Sequence, residues 1–304
     1  MKIHGIGLPF SPHQSSCSNR TPTNFTWTDD KDEEYDVQVW VDKFIANGIL
    51  EKRIPGVAKY AWVCESKAII PELREGFNNP FLFDAIINAY DGIFTCDQEL
   101  VDMHEKIHFC FAGSNLPWTP EKNYKIYDKT EFCSFVSSSK KITKGHELRH
   151  KVYDTMFYRY AGNRLVNLMG GITEQGPFGL EQGCWLPEYT GSTGNKWHDK
   201  SFKSCVGQWH NKSTSLCPFM YSIVIENDQY DDYFTEKITD CFSTGTIPVY
   251  YGTENIGKYF NMDGIIEISD DETLIDFIVS NRLTDDLYYS KMDAIKDNLE
   301  RVKN

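Results

Sequence analysis

Short apolar runs alternate with segments of helical length along the first 120 residues. The runs are rich in β-branched and aromatic residues and predict strands at Val37–Val41, 60–64, Gly92–Thr95 and 108–112. Residues 80–90, between two of these runs, have the length of a helix. The alternation predicts parallel strands joined by helices, which is an α/β fold.

The same pattern restarts after residues 115–129, a stretch with two prolines that is typical of a connection. Residues 132–136 predict a buried strand, and residues 146–160 predict a helix with apolar side chains on one face. Residues 220–225 are apolar at nearly every position, as in a strand that is covered on both faces of a parallel sheet.

A strand–helix–strand unit follows. Thr235 is placed to cap a helix over Glu236–Thr244, and Gly245 supplies a left-handed stop. Ile247–Tyr251 then restarts a strand. A further strand, a further helix and a final amphipathic helix are predicted at residues 264–268, 272–279 and 285–302.

The length of 304 residues suggests two domains at about 150 residues each. We expect an N-terminal domain at 1–125, a C-terminal domain at 126–284 and a terminal helix at 285–304. Residues 11–35 predict a surface loop that ends in a solvated acidic cluster rather than a metal site. The glycine-rich residues 170–215 predict irregular excursions from the second sheet.

The charge balance excludes one class of partner. The 31 basic and 44 acidic residues give a net charge of −13, which repels phosphate backbones, so we expect no nucleic-acid partner. No apolar stretch approaches the ~20 residues of a membrane helix, and the N-terminus does not resemble a signal peptide. We therefore expect a soluble, cytoplasmic protein without a membrane span.

The nine cysteines are scattered and include no C-x-x-C pair, which disfavours a disulfide framework. Five residues of metal-ligand type do occur near one another in the second half: Cys184, His198, Cys205, His210 and Cys217. Their spacings match no common zinc module, so reduced, buried side chains are the favoured interpretation. We expect no bound metal.

Residues 226–237 lie where open parallel sheets bind ligands, between the carboxyl end of a strand and the start of a helix. They combine a cation, helix-start N–H groups, carboxylates, an amide and aromatic rings, which are the groups that a sugar nucleotide requires. An ordinary helix start with a solvated lysine is the alternative.

The sequence of residues 225–252, Ile-Glu-Asn-Asp-Gln-Tyr-Asp-Asp-Tyr-Phe-Thr-Glu-Lys-Ile-Thr-Asp-Cys-Phe-Ser-Thr-Gly-Thr-Ile-Pro-Val-Tyr-Tyr-Gly, closely resembles a family signature. It is the donor-binding signature of the α1,3/4-fucosyltransferases, glycosyltransferase family 10. Upstream, residues 135–139 and 148–154 are similar to that family's strand, polar turn and arginine-bearing helix. The resemblance implies the GT-B fold, two Rossmann-like domains that face a cleft, with the nucleotide sugar held by the C-terminal domain.

The resemblance also implies roles for individual residues. Arg149 and Lys237 would hold the diphosphate, and Glu236 would hold the nucleotide ribose. The other donor-binding residues would be Ser138, Glu226, Asn227, Tyr233 and Thr235. A fixed, planar guanidinium can stabilise a departing diphosphate without a metal, and the family needs none. A surface arginine paired with Glu147 or Asp154 is the alternative.

An inverting transferase needs a general base for the acceptor hydroxyl, usually a carboxylate on the opposite domain. Glu65 follows the strand predicted at 60–64 and resembles the strand-end glutamate of the bacterial fucosyltransferases, which carry Gly-Glu-Asn where this chain has Cys-Glu-Ser. Asp97 and Glu99 are the other candidates, and an ordinary surface carboxylate is the alternative for each.

The resemblance therefore implies an inverting, metal-independent glycosyltransferase that moves L-fucose from GDP-fucose to a hydroxyl of a glycan or glycoconjugate. Asp228 replaces the usual Ser or Thr after Glu-Asn, and the N-terminal half diverges, so another nucleotide sugar is an open alternative. A non-catalytic carbohydrate-binding relic of the fold is another. Without an anchor or stem, a microbial or viral enzyme is expected rather than an intact Golgi enzyme.

Overall fold

A computed structural model describes residues 1–7, 24–112, 116–119, 121–137, 140–159, 167–169, 213–268, 271–280 and 282–303 of the chain. The chain forms two compact units. The first combines Met1–Leu116 with Tyr230–Thr235, and the second combines Pro117–Gln229 with Glu236–Asn304. The chain thus leaves the second unit after Gln229, adds a short segment to the first and returns.

The first unit is built on a parallel sheet of six strands. In chain order these are β1 Lys2–Ile6, β2 Thr26–Thr28, β3 Val37–Val41, β4 Ala58–Val63, β5 Gly92–Thr95 and β6 Ile107–Phe109. Their order across the sheet is β2-β1-β3-β4-β5-β6. The order reverses between β1 and β3.

The described residues of the first unit contain four α-helices: α1 Ile45–Leu50, α2 Pro71–Asn78, α3 Pro80–Ala89 and α4 Gln98–Val101. The start of α3 shows why the chain turns helical here. The side chain of Asn79 accepts hydrogen bonds from the N–H groups of Phe81 at 3.0 Å and Leu82 at 3.3 Å, and proline occupies the first helical position. The core beneath these helices contains Trp40, Phe77 and Ile93.

The second unit is built on five parallel strands in the order β11-β10-β9-β7-β8. In chain order these are β7 Glu131–Val136, β8 Asn167–Met169, β9 Phe219–Ile225, β10 Ile247–Tyr251 and β11 Ile266–Glu267. All seven residues of β9 are buried, as its apolar run predicts. Both sheets therefore order their first five strands 2-1-3-4-5, and the second sheet reverses between β7 and β9.

The helices of the second unit are α5 Lys144–Arg159, α6 Ser213–Leu216, α7 Glu236–Thr244, α8 Asp271–Val279, α9 Asp285–Ser290 and α10 Met292–Lys303. Gly245 ends α7 at a φ of +71°, so the predicted left-handed stop is confirmed. A Cβ atom at this glycine would lie 2.9 Å from the Cα atom of Ile126, which also favours glycine.

Several predicted elements are confirmed at both ends: Val37–Val41, Gly92–Thr95, Glu236–Thr244 and Ile247–Tyr251. The acidic run over residues 29–34 is exposed, as predicted. The predicted irregular region at 170–215 lies outside the described residues except at its last three positions. No helix in the described ranges is both long and apolar enough to cross a membrane.

Three predictions were wrong in part. The loop expected at residues 11–35 contains β2, which pairs with β1 although it is only three residues long. The strand expected at 108–112 is β6 and ends at Phe109. The helix expected at 285–302 is two helices, because the N–H of Lys291 bonds the carbonyl of Tyr288 at 3.1 Å and the chain turns there.

Candidate functional site

The carboxyl ends of β7 and β9 meet where the strand order of the second sheet reverses. Glu226 and Asn227 directly follow β9, and α5 and α7 begin at this end of the sheet. Open parallel sheets bind their ligands at this point. Five of the predicted donor-binding residues, Arg149, Glu226, Asn227, Glu236 and Lys237, lie in this unit.

The Arg149 guanidinium is buried against the end of β9, with only 4% of the residue exposed. Its Nε donates to the carbonyl of Ile225 at 2.9 Å, and its Nη2 donates to the same carbonyl and, at 2.9 Å, to Oδ1 of Asn227. These bonds fix the plane of the guanidinium. The expected alternative, an arginine on the helix surface, is therefore wrong for this residue.

Glu226 is fully buried, and its carboxylate lies 3.1 Å from the ammonium of Lys237. The side chain of Lys237 keeps a quarter of its surface exposed. An ammonium carries three donors, so a bond to Glu226 is compatible with a further bond to a phosphate oxygen. The buried carboxylate thus orients the lysine at the start of α7.

Gly145, in the first turn of α5, allows this helix to approach the end of β9. Its N–H donates to the carbonyl of Asn227 at 3.3 Å. A Cβ atom here would overlap the carbonyl oxygen of Glu226 and lie 2.8 Å from that of Asn227. The sequence reasoning did not select Gly145, although a glycine in a helix interior is costly and usually marks such an approach.

His146 is buried near several cations at this end of the sheet. Burial, and to a smaller extent the nearby cations Arg149, Lys140 and Lys237, together lower the pKa of its imidazole to about 4. Its Nδ1 lies 2.7 Å from Oγ1 of Thr143. A buried, neutral histidine among cations indicates a local potential that favours an anionic ligand. The sequence reasoning missed this residue too.

The other predicted donor residues are distributed differently. Glu236 is buried at the first position of α7. Tyr233 and Thr235 belong to the first unit, where the buried ring of Tyr233 stacks on Tyr230 with a centroid distance of 4.7 Å. Ser138 lies outside the described residues. A donor-binding role for each of these residues stays a prediction.

In the first unit, a small cleft opens at the carboxyl ends of β4 and β5. Its polar lining includes Glu65, Lys67, Arg74 and Asp97, and its apolar lining includes Phe77. The cleft therefore brings together two of the three carboxylates that the sequence suggests as a general base.

These carboxylates differ in how they are held. Asp97 is buried and accepts from Nη1 of Arg74 at 2.8 Å, while its other oxygen caps α4 through the N–H of Glu99. Glu99 pairs with Arg74 and, at 3.6 Å, with Lys67. Within the described ranges, the carboxylate of Glu65 has no hydrogen-bond or ion-pair partner. Glu65 is therefore the carboxylate in this cleft that is available to accept a proton.

A fourth carboxylate near the cleft was missed by the sequence reasoning. Asp42 follows β3, and its Oδ1 accepts from the N–H groups of Cys64 at 2.8 Å and Glu65 at 3.1 Å. It has a φ of +52°, a conformation that aspartate tolerates better than most residues. An aspartate directly after a buried strand was the available signal.

Groups of His, Cys, Asp and Glu that could hold a metal ion do not occur among the described residues. Four members of the five-residue set considered above, Cys184, His198, Cys205 and His210, lie outside those residues.

Comparisons with known proteins bear on this geometry. Residues 190–290 match the model of the family described as glycosyltransferase family 10 (fucosyltransferase), C-terminal. Residues 190–290 are therefore similar to the C-terminal part of that family. The match includes Glu226, Asn227 and Lys237, and the predicted resemblance is confirmed for this part of the chain.

A curated relative supports the same assignment. A stretch of 55 residues is 34% identical to an α-(1,3)-fucosyltransferase of Helicobacter pylori. The stretch covers 18% of this chain and 12% of that enzyme. Its activity and substrates can therefore be carried to this chain only as proposals.

Solved structures support the fold. A crystal structure of an α1,3-fucosyltransferase with GDP-fucose matches 100% of this chain and 89% of that one, with a TM-score of 0.51 and 15% identity. A crystal structure of an α1,3-fucosyltransferase with GDP matches this chain with a TM-score of 0.50 and 14% identity. The predicted α/β fold of GT-B type is thereby confirmed.

Proposed function

We propose that the chain is an inverting, metal-independent glycosyltransferase that transfers L-fucose from GDP-fucose to a hydroxyl of a glycan or glycoconjugate. The observation that carries the proposal is the cationic site at the β7–β9 reversal. It contains Arg149 and Lys237, and Lys237 lies within the residues that match the family 10 model.

The site has the chemistry that a nucleoside diphosphate requires. Arg149 is fixed and Lys237 is oriented by buried Glu226, so both cations are organised before a ligand arrives. Fixed cations stabilise the charge that develops on a departing diphosphate without further reorganisation. Two cations could offset that charge without a metal ion, which is why we propose a metal-independent reaction.

In the proposed reaction, an acceptor oxygen attacks the anomeric carbon of the donor sugar from the face opposite the diphosphate. Glu65 takes the proton of the acceptor hydroxyl, and the bond from the anomeric carbon to the phosphate oxygen breaks. The electron pair of that bond leaves with GDP, whose charge Arg149 and Lys237 offset. A carboxylate without another partner suits the role of general base.

The alternatives are another nucleotide-sugar donor and a non-catalytic relic that binds carbohydrate. The replacement of the usual Ser or Thr by Asp228 favours keeping the first alternative open. The cytoplasmic location and the absence of a nucleic-acid partner stay predictions.

The first experiment is thermal unfolding of the full chain with GDP, UDP, GDP-fucose or GDP-mannose, in EDTA and then with Mg²⁺. A ligand at ~100 times its dissociation constant adds about 2.7 kcal/mol to the free energy of unfolding. We expect GDP and GDP-fucose to stabilise the protein in EDTA, and the stabilisation to be lost in Arg149→Ala and Lys237→Ala. Lys296→Ala, which removes an exposed lysine 3.5 Å from Asp293, is the matched control.

Each other outcome would overturn part of the proposal. Stabilisation by UDP alone would overturn the guanine-nucleotide donor. Stabilisation that needs Mg²⁺ would overturn metal independence. No shift with any nucleotide, or nucleotide binding without release of GDP from GDP-fucose in the presence of a glycan panel, would favour the relic.

A further inference from the structure

One carboxylate holds two successive backbone amides at the point where β4 leaves the first sheet. Oδ1 of Asp42 accepts from the N–H groups of Cys64 at 2.8 Å and Glu65 at 3.1 Å. β3 and β4 pair in parallel with Val41 opposite Trp62, so Asp42 follows β3 beside the segment that follows β4. The two bonds join residues 22 and 23 positions apart, and they are therefore tertiary contacts rather than a local turn.

The backbone of Asp42 is unusual in the same place. Its φ of +52° lies in the left-handed region, where residues other than glycine are uncommon and aspartate and asparagine are enriched. Such conformations persist where the surrounding structure holds them, and they cluster at functional sites. Here the conformation accompanies the bonds from the carboxylate to the two amides.

We propose that Asp42 is a positioning residue that fixes Glu65 for proton transfer. The inference rests on the proposed role of Glu65 as the general base. Within the described ranges, no side chain bonds or pairs with the Glu65 carboxylate, so its direction depends on the backbone at residues 64 and 65. Bonds from an ionised carboxylate to N–H groups are short and strong, which makes them suited to holding that backbone.

The charges around Asp42 agree with this role. Burial and, to a smaller extent, the Glu65 carboxylate raise the pKa of its carboxyl to about 6, although the bonds from the two amides lower it. The carboxyl is therefore ionised at neutral pH although it is partly buried. The same two carboxylates, together with burial, raise the pKa of the Cys64 thiol.

Three substitutions at position 42 separate the effect of losing the carboxylate from the effect of disturbing the left-handed backbone conformation. Asp42→Asn keeps an acceptor oxygen and tolerates the left-handed region, Asp42→Gly removes the acceptor but fits the conformation, and Asp42→Ala removes the acceptor and disfavours the conformation. The readouts are the steady-state release of GDP from GDP-fucose, with water as the acceptor, and hydrogen exchange of the amides at residues 64 and 65.

We expect kcat to fall about 10- to 100-fold in Asp42→Gly and Asp42→Ala, because a displacement of about 1 Å in a reacting group can cost about 100-fold. The KM for GDP-fucose should stay within about twofold. Exchange of the two amides should accelerate in the same variants. Asp42→Asn should restore both protection and kcat to within about threefold of the wild-type values.

Asp91→Ala is the matched control. Oδ2 of Asp91 accepts from the N–H of Lys59 at 2.8 Å and holds the start of β4 by the same kind of bond. We expect this variant to lower thermal stability without changing kcat. Equal kcat losses in Asp91→Ala and Asp42→Gly, or wild-type kcat in Asp42→Gly with exposed amides, would overturn the inference. Absence of GDP release from the wild-type protein, both with water and with the glycan panel, would instead overturn the proposed function, and exchange at residues 64 and 65 would still report whether Asp42 holds them.

Discussion

The carboxyl ends of the two sheets, which share the same strand order, gather different charged groups around their buried titratable residues. In the first unit, Asp42 and Glu65 lie at the carboxyl ends of the strands, and the pKa of Cys64 is raised by burial and by both of them. In the second unit, the pKa of His146 is lowered by burial and by Arg149, Lys140 and Lys237.

The comparison teaches that the topology selects where a ligand can bind, whereas the side chains select which chemistry occurs there. An end of a sheet with a negative potential suits proton removal, and an end with a positive potential suits a diphosphate. The same fold can thus supply a base from one unit and a phosphate site from the other. The predictions below test whether the two ends are separable in this way.

The largest effect is expected from removing the proposed base, Glu65. Glu65→Gln should lower kcat by about 100- to 10,000-fold, because a neutral amide cannot accept the acceptor proton. GDP affinity, measured by calorimetry, should not change, since the proposed nucleotide site lies in the second unit. Glu99→Gln, an exposed carboxylate paired with Arg74, is the control and should keep most activity. A larger loss of kcat in Glu99→Gln than in Glu65→Gln would show that Glu65 is not the base.

The second-largest effect tests the cationic site of Arg149 and Lys237 in the second unit. Arg149→Lys keeps the charge but cannot bond the Ile225 carbonyl and Asn227 in the same plane, so GDP affinity should fall about 10- to 100-fold. Calorimetric titration with GDP measures the loss. Arg301→Lys, which loses an arginine that bonds Asp297 and the Tyr259 carbonyl, is the control. Unchanged GDP binding in Arg149→Lys would mean that Arg149 only supports β9.

The close approach of α5 to the end of β9 can be tested by adding one methyl group at Gly145. Gly145→Ala should lower the free energy of unfolding by about 3 kcal/mol, because the new Cβ would overlap the backbone of Glu226. Gly76→Ala in α2 is the control, since its Cβ would lie 3.7 Å from Ile86 and alanine favours the helix. Denaturant unfolding measures the stability of both variants. Equal free energies of unfolding in the two variants would contradict the close approach of α5 to the end of β9.

The smallest effect concerns pH. Because burial and cations lower the pKa of His146 from 6.5 to about 4, the unfolded chain takes up a proton between these pH values while the folded protein does not. Stability should therefore fall as the pH decreases through this window, by about 2 kcal/mol at pH 5. His146→Asn should flatten that dependence in thermal unfolding.

His108→Asn, at an exposed histidine of the first unit, is the matched control for the pH experiment and should leave the slope unchanged. A histidine NMR titration sharpens the comparison, because bound GDP should raise the pKa of His146 by offsetting the surrounding cations. If the imidazole of His146 titrates near 6.5 in the free protein, the inferred burial of this residue among cations is contradicted.

Sequence periodicity predicted the elements that are long and strongly patterned. The apolar run of β9 and the glycine-terminated helix α7 are predicted from the sequence, because burial on two faces and a left-handed stop leave clear signals. It failed for β2 and β8, which have three residues each and depend on pairing with a distant strand. It also failed at Lys291, where neither glycine nor proline marks the break between α9 and α10.

The candidate site divides in a similar way. The motif led to Arg149, Glu226 and Lys237, which the structure brings together, because ionic residues at fixed spacing are visible in one chain. Asp42 and Gly145 were not selected. Their roles arise from contacts with residues 22 to 82 positions away, and such contacts leave no local pattern.

The short return of the chain to the first unit has a consequence for synthesis. The strands of that unit are complete once Phe109 has been made, yet Tyr233, which packs with Cys96 and Ala112, is encoded far downstream. At about 5–20 residues per second, residues 230–235 emerge from the ribosome on the order of 10 s after the sheet. The nascent first unit therefore waits, with this cluster uncovered, until most of the second unit has been translated.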